Sequence, residues 1–176
     1  VSSPSGFENM PESKLPNIDT IVVDGANLAW NYGDHEEADS AGIFAALGHE
    51  ILSNRQVIIF VPRHYMVGRS KYTLMDSKGK NSADMITYDR SIGKWVHWPL
   101  FRLQKQGIVR ATGKPPEDDR QLLEYPKKNN ALVLSNDLYR DHVQSGLINN
   151  EWLKQRQIHY YYDGREFVIK CMPCTL

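Results

Sequence analysis

Long apolar runs are absent from this sequence. The longest, Val57 to Val61, falls far short of the roughly 18 residues that a membrane-spanning helix needs, so no membrane segment is expected. Cysteine is scarce: only Cys171 and Cys174 occur, too few for a disulfide-rich secreted scaffold, and a bridge between them would close a trivial loop. This usage points to a reducing, intracellular compartment, the cytoplasm. Cys171-x-x-Cys174 is half of a zinc site, but no second pair accompanies it. Several catalytic signatures are missing, among them a G-x-x-x-x-G-K-[ST] phosphate loop, a G-x-S-x-G elbow and a G-x-G-x-x-G dinucleotide loop. The histidines at 35, 49, 64, 97, 142 and 159 show neither H-E-x-x-H nor triad spacing, and lone ones such as His49 read as core or surface. Net charge is lacking too: 21 Lys and Arg balance 21 Asp and Glu, which at first argues against a polyanionic partner.

Split along the chain, that balance dissolves. Residues 1–54 carry one basic and nine acidic side chains, residues 55–114 carry twelve basic and three acidic, and residues 115–176 carry eight basic and nine acidic. The three segments are therefore −8, +9 and −1. A polyanion responds to a local cluster, because charges are screened beyond about 8 Å in physiological salt. The basic middle is compatible with nucleic acid, and equally with a solvated surface loop.

What the chain does contain is the material of one domain. A length of 176 residues, 41% hydrophobic and 24% charged, matches a globular chain with short appendages. Residues 1–17 are rich in Ser, Pro and Glu and read as a flexible linker, residues 18–170 as the domain, and 171–176 as a tail. The first residue is Val rather than Met, so a piece of a longer protein is expected. Four short β-branched runs, Thr20 to Val23, Val57 to Val61, Ile108 to Ala111 and Ala131 to Leu134, read as strands buried on both faces. Residues 40–54, 95–106 and 117–125 read as helices between them, the last limited by Pro126. Trp95, Trp98, Leu100 and Leu103 give the second helix an apolar pattern assigned to packing. A further helical segment carries Trp152 and Leu153, and a closing hairpin turns at Asp163-Gly164. This alternation implies a three-layer α/β/α fold around a mostly parallel sheet. Residues 62–94 fit none of these elements; with seven Lys or Arg, three Asp and Tyr65, Tyr72 and Tyr88, they are expected to form a basic, mobile loop.

In such sheets ligands bind beyond the carboxyl ends of the strands. Asp24 follows the first run, Asp118 and Asp119 follow the third, and Asp137 and Asp141 follow the fourth, where a helical turn would put the last two on one face. Each has a plainer reading: a turn at Asp24-Gly25, a helix N-terminus at Asp118 and Asp119, a cap at Asp137, an Arg140 partner for Asp141. Together they are harder to dismiss, because crowded carboxylates destabilise a fold unless a cation neutralises them. An all-oxygen set suits Mg²⁺, or Mn²⁺. Such an ion polarises a phosphodiester and activates water, so the implied reaction is phosphodiester hydrolysis.

Three stretches, Ile21-Val-Val-Asp-Gly-Ala-Asn-Leu-Ala29, Pro116-Glu-Asp-Asp-Arg120 and Val133-Leu-Ser-Asn-Asp-Leu-Tyr-Arg-Asp141, together resemble the NYN subgroup of PIN-like, Rossmannoid ribonucleases. The Regnase (MCPIP, zinc-finger-associated) branch is the most similar, from about Ile18 to Ile169, with Phe60-Val61-Pro62 also matching. The resemblance implies a Mg²⁺-dependent endoribonuclease acting on single-stranded or loop regions of RNA, often messenger RNA, in mRNA decay. Relatives in the wider group process transfer RNA or act in RNA silencing. By position, Asp24, Asp119, Asp137 and Asp141 match the acidic metal-site residues, Asp118 the other member of the Asp-Asp pair and Asn27 the Asn beside the first Asp. Ser135 and Asn136 match the pocket lining. Arg63, Lys114, Arg120 and Arg140 are candidates to contact the RNA backbone, with Asn27 and Ser135 orienting water or phosphate. Attack in line would leave a 5′-phosphate and a 3′-hydroxyl. The family's basic stretch before Asp-Asp is reduced here to Lys114-Pro-Pro-Glu, residues 66–94 look like an insertion, and the CCCH zinc finger of this branch would lie in flanking sequence. A homodimer or heterodimer stays open, as do a silent RNA-binding scaffold, a tRNA-processing enzyme and a DNA nuclease.

Overall fold

The computed structural model describes residues 17–75 and 83–173. The linker expected at 1–17 lies outside them except for Asn17, and so does Cys174. In chain order the elements are β1 (Asn17–Asp24), α1 (Gly25–Tyr32), α2 (Ala41–Leu47), α3 (Glu50–Ser53) and β2 (Gln56–Pro62). The short strands β3 (Val67–Gly68), β4 (Ile86–Asp89) and β5 (Lys94–His97) follow, then α4 (Trp98–Lys105), β6 (Val109–Thr112) and α5 (Glu117–Asn129). The chain closes with β7 (Ala131–Leu134), α6 (Arg140–Gln144), α7 (Asn150–Lys154), β8 (Gln157–Asp163) and β9 (Glu166–Cys171).

The main sheet has the order β6-β2-β1-β7-β8-β9, with every pair parallel except β8 with β9. Alternation along the strands makes the layers. Ile21, Val23, Ile59, Val61, Leu132 and Leu134 pack on one face beneath α1, α2 and α4. Val22, Ile58, Phe60 and Val133 pack on the other against Leu122 and Leu123 of α5 and Leu153 of α7. Each such buried side chain contributes about 1.5–3 kcal/mol, so neither face tolerates a register slip. The strand order reverses beside β1: β2 and β6 extend on one side, and α5 carries the chain across to β7 on the other. Val23 lies opposite Leu134, so Asp24 and Ser135 leave the sheet side by side at its switch point.

Three local expectations are corrected. Residues 40–54 form two helices, because His49 is extended and its ring accepts from Ile51 N–H at 3.1 Å, capping α3. Residues 95–106 divide into a strand end and α4; Trp95 sits in β5, and buried His97 caps α4 by accepting from Leu100 N–H at 3.3 Å. Pro126 does not stop α5, which continues to Asn129; the proline ring joins Leu122 and Leu123 in the buried stripe, and one turn beyond it suffices.

The stretch 62–94 is also more structured than expected. Its described residues supply β3 and β4, which pair antiparallel on either side of β5 at its end, and Tyr88 stands opposite Trp95 with rings 5.5 Å apart. No helix among the described residues is long and apolar enough to cross a membrane.

Gly25 fixes how closely α1 enters behind β2: a Cβ there would lie 2.4 Å from Val61 Cγ1 and 2.8 Å from the Phe60 carbonyl oxygen. Gly25→Ala is expected to destabilise the fold by about 1–3 kcal/mol, measured by urea unfolding. A change within experimental error would show that α1 yields at no cost.

Candidate active site

Asp24 ends β1 and caps α1, and it is only 4% exposed. Its Oδ1 accepts from Asn27 N–H at 3.1 Å, and its Oδ2 accepts from the Ser135 hydroxyl at 3.1 Å and the Tyr139 hydroxyl at 2.7 Å. Burial raises the Asp24 carboxyl above its usual range, the three hydrogen bonds oppose that, and nearby Asp137 adds to it. Tyr139 is raised well above the usual phenol value, by burial first and then by Asp24, so it keeps its proton and donates.

Tyr139 went unnoticed in the sequence. It lies in the left-handed region at φ 49°, an uncommon conformation for a bulky side chain, which costs roughly 1–3 kcal/mol. The strain is retained because the ring packs in the core and its hydroxyl reaches Asp24. The only sequence signal was its place between Asp137 and Asp141. That kink also corrects the shared helical face: α6 begins at Arg140, so Asp137 is in the preceding loop and Asp141 is in the helix. Both still line one cleft of about 530 Å³ with Asp118 and Asp119.

Asp119 stands in the first turn of α5, where the helix dipole favours a negative charge. Burial, then Asp24, Asp118 and Asp137, push its carboxyl up to about 7. Asp118 accepts from Asp119 N–H at 2.9 Å, and Asp137 accepts from Tyr139 N–H at 2.8 Å. Among the described residues, Arg120 forms ion pairs with Glu117 and Glu124, and none joins a cation to Asp24, Asp119, Asp137 or Asp141. No three His, Cys, Asp or Glu side chains among the described residues are arranged to hold a metal ion.

Two pocket residues prove to be braces. Ser135 is fully buried, donates to Asp24 and accepts from Asp137 N–H at 3.1 Å, so it positions the acidic loop and cannot itself touch substrate. Asn136 ties β7 to β8: its amide donates to the Tyr160 carbonyl at 2.9 Å and accepts from Tyr160 N–H at 3.1 Å. The Asn27 side-chain oxygen accepts from Asn136 N–H at 3.0 Å and the Tyr160 hydroxyl at 2.6 Å, which leaves its amide nitrogen for other partners. Gln157, also missed, donates to the carbonyls of Ser135 at 2.8 Å and Asp137 at 2.6 Å.

The basic candidates separate. Arg120 is held by Glu117 at 3.7 Å and Glu124 at 3.1 Å along its own helix, on the exposed side. Arg140 lines the acidic cleft. Arg63 and Lys114 instead share a neighbouring cleft of about 360 Å³ with Arg69, Lys94 and His64. His64 feels both Asp118 and Lys114, so the two clefts adjoin.

An α/β/α sheet with a carboxylate cluster at its switch point defines a Rossmannoid, PIN-like class of domain. The family model described as Zc3h12a-like Ribonuclease NYN domain matches residues 17–173, and the chain belongs to that family. Endoribonuclease rege-1 of Caenorhabditis elegans is 26% identical over 156 residues, covering 87% of this chain and 22% of that protein. This chain therefore spans about a fifth of the length of that relative. Two structures of the Arabidopsis thaliana nuclear protein-only RNase P 2 share the fold. One has a TM-score of 0.56 at 16% identity, covering 87% of this chain and 29% of the other. The second has 0.58 at 19%, covering 98% and 33%.

A carboxyl raised in the folded state binds its proton more tightly than in the unfolded chain, where Asp titrates near about 3.9. Its stabilising contribution is present at low pH and lost as pH rises through about 7. With divalent ions chelated, Asp119→Asn should therefore gain stability over the native protein between pH 5 and 8, read from urea midpoints. A gap independent of pH would dismiss the repulsive cluster.

Proposed function

We propose that this domain is a metal-dependent endoribonuclease that hydrolyses single-stranded or loop regions of RNA, with messenger RNA as its principal substrate. The observation that carries the reading is the buried, hydrogen-bonded Asp24 close to Asp119 and Asp137, none of them in an ion pair with a cation among the described residues.

The donor set fits Mg²⁺, with Mn²⁺ as an alternative. Asp24 Oδ1 receives one hydrogen bond and keeps a lone pair, whereas Oδ2 receives two. Since no three His, Cys, Asp or Glu side chains among the described residues are arranged to hold an ion, water would complete the shell, which is how Mg²⁺ is usually held. Asp24, Asp119, Asp137 and Asp141 would hold it, directly or through water. When bound, the ion polarises a phosphodiester oxygen and lowers the pKa of a water towards neutrality. Tyr139 and Ser135 fix the Asp24 carboxylate, so no reorganisation is needed when charge develops. The Asn27 amide nitrogen, not engaged by the bonds to its oxygen, would orient water or phosphate; Asp118 borders the cleft, and Arg140, which lines it, would meet the backbone. Arg63 and Lys114, joined by Arg69 and Lys94, hold phosphates of the same strand away from the carboxylates. In-line attack leaves a 5′-phosphate and a 3′-hydroxyl.

With Mg²⁺ and unstructured RNA, the native protein should cleave and Asp24→Asn should lose at least about 100-fold in rate, the scale of losing an electrostatic stabiliser; equal cleavage by both would overturn the site. Single-stranded RNA, hairpin RNA, precursor tRNA and DNA run side by side test substrate class, and a preference for precursor tRNA or DNA would redirect it.

Neutralising Arg69 and Lys94 to Gln should weaken RNA binding and flatten its salt dependence by about 0.7 log units per lost contact. An unchanged slope would return the basic cleft to solvated surface.

A further inference from the structure

A third cleft, of about 520 Å³, adjoins the other two: it shares Asp118 and Pro115 with the acidic cleft and His64 with the basic one. Its lining is of a different kind. Trp30 of α1 and Tyr72 of the insertion stand at its walls, 41% and 72% exposed, and Glu36 and Glu37 come from the loop after α1. Lys71 lies over the Tyr72 ring at 5.1 Å, which orients it. Among the described residues no Lys or Arg lines this cleft, whereas four line its basic neighbour. Three carboxylates, Glu36, Glu37 and Asp118, repel a phosphate, so the backbone is disfavoured in the very place where the Trp30 and Tyr72 rings stand.

Aromatic faces beside a phosphate-binding cleft are what an unstacked nucleobase needs. Carboxylates accept hydrogen bonds and donate none when ionised. Among the bases, guanine presents an imino and an amino donor side by side, and adenine presents one amino group. We propose that this cleft is a nucleobase subsite, in which one base of a single-stranded RNA stacks on Trp30 and Tyr72, with guanine preferred through Glu36 and Glu37. The proposal rests on RNA being the substrate and names how that RNA is read next to the site of cleavage. Strand direction follows the adjoining clefts: phosphates on the cations, one base in the aromatic cleft, the scissile bond at the carboxylates.

The test uses fluorescently labelled eight-residue oligouridylates that carry one central guanosine, one adenosine or one abasic residue, with Ca²⁺ in place of Mg²⁺. Guanosine should bind at least about fivefold tighter than the abasic oligomer, the lower end of what one base–aromatic stack gives. Adenosine should fall between. Trp30→Ala and Tyr72→Ala should each remove most of that gain, with thermal midpoints confirming folding, since both side chains are exposed. The Glu36→Gln, Glu37→Gln double variant should bring guanosine down to adenosine. Equal affinity for all three oligomers, or a gain that survives both aromatic substitutions, overturns the subsite. Mg²⁺-dependent cleavage without base discrimination overturns the subsite alone. Base discrimination lost with Trp30 but no cleavage by the native protein upholds the subsite and overturns the nuclease reading.

Discussion

The buried carboxylate of Asp24 is the constraint on which the site depends. A charge taken out of water must be compensated, and here three donors from two segments do so: Asn27 N–H from α1, and the hydroxyls of Ser135 and Tyr139 from the loop after β7. Each donor is itself pinned. Ser135 is held by the parallel pairing of β1 with β7, Asn27 by the Tyr160 hydroxyl, and Tyr139 by a strained backbone tolerated because its ring is packed. The arrangement links α1, β1, β7 and β8 through polar atoms at one end of a sheet whose middle is held by apolar ones. With one face of that carboxylate committed to the fold, one lone pair is left for anything that approaches from the cleft.

Much of this was legible, for physical reasons. Doubly buried strands require unbroken β-branched runs, and Val22-Val23 and Ile58-Ile59 display them. The carboxyl-end rule then points at Asp24, Asp119 and Asp137 before any coordinates exist. Illegible were properties that arise between distant segments. Ser135 looked like a ligand contact, and only the pairing of β1 with β7 buries it. Tyr139 looked like spacing between two acids, and nothing local announces φ 49°. Pro126 obeyed burial over local propensity. The small sheet in the basic stretch was hidden because β3, β4 and β5 are two to four residues long, too short for alternation to register.

The zero net charge proves to be a sum over separate clefts of opposite sign. The carboxylates of Asp118, Asp119, Asp137 and Asp141 share one cleft with a single cation, Arg140, at its edge. Arg63, Arg69, Lys94 and Lys114 share the next, with no carboxylate among them. Charges of opposite sign placed this close would normally pair, and pairing would abolish both uses. They stand on different elements: the acids on α5, the loop after β7 and α6, and the cations on the insertion and the loop after β6. Arg120, the one candidate on the acidic helix, is neutralised by Glu117 and Glu124 on its outer side.

That separation also divides the molecule by what can change independently. The carboxylate site is tied through Asp24 to four core elements, so altering its geometry disturbs the core. The insertion between β2 and α4 is packed into that same core through Tyr65, Met66 and Met75, and His97 Nε2 and the Ser40 hydroxyl lie 3.1 Å apart. Yet the insertion supplies Arg69 and Lys94 to one cleft and Tyr72 to another. On the proposed reading, a chemistry fixed through Asp24 and a strand-gripping surface carried on exposed side chains of the insertion would therefore be tuned apart, and the selection of substrate would fall to those exposed side chains.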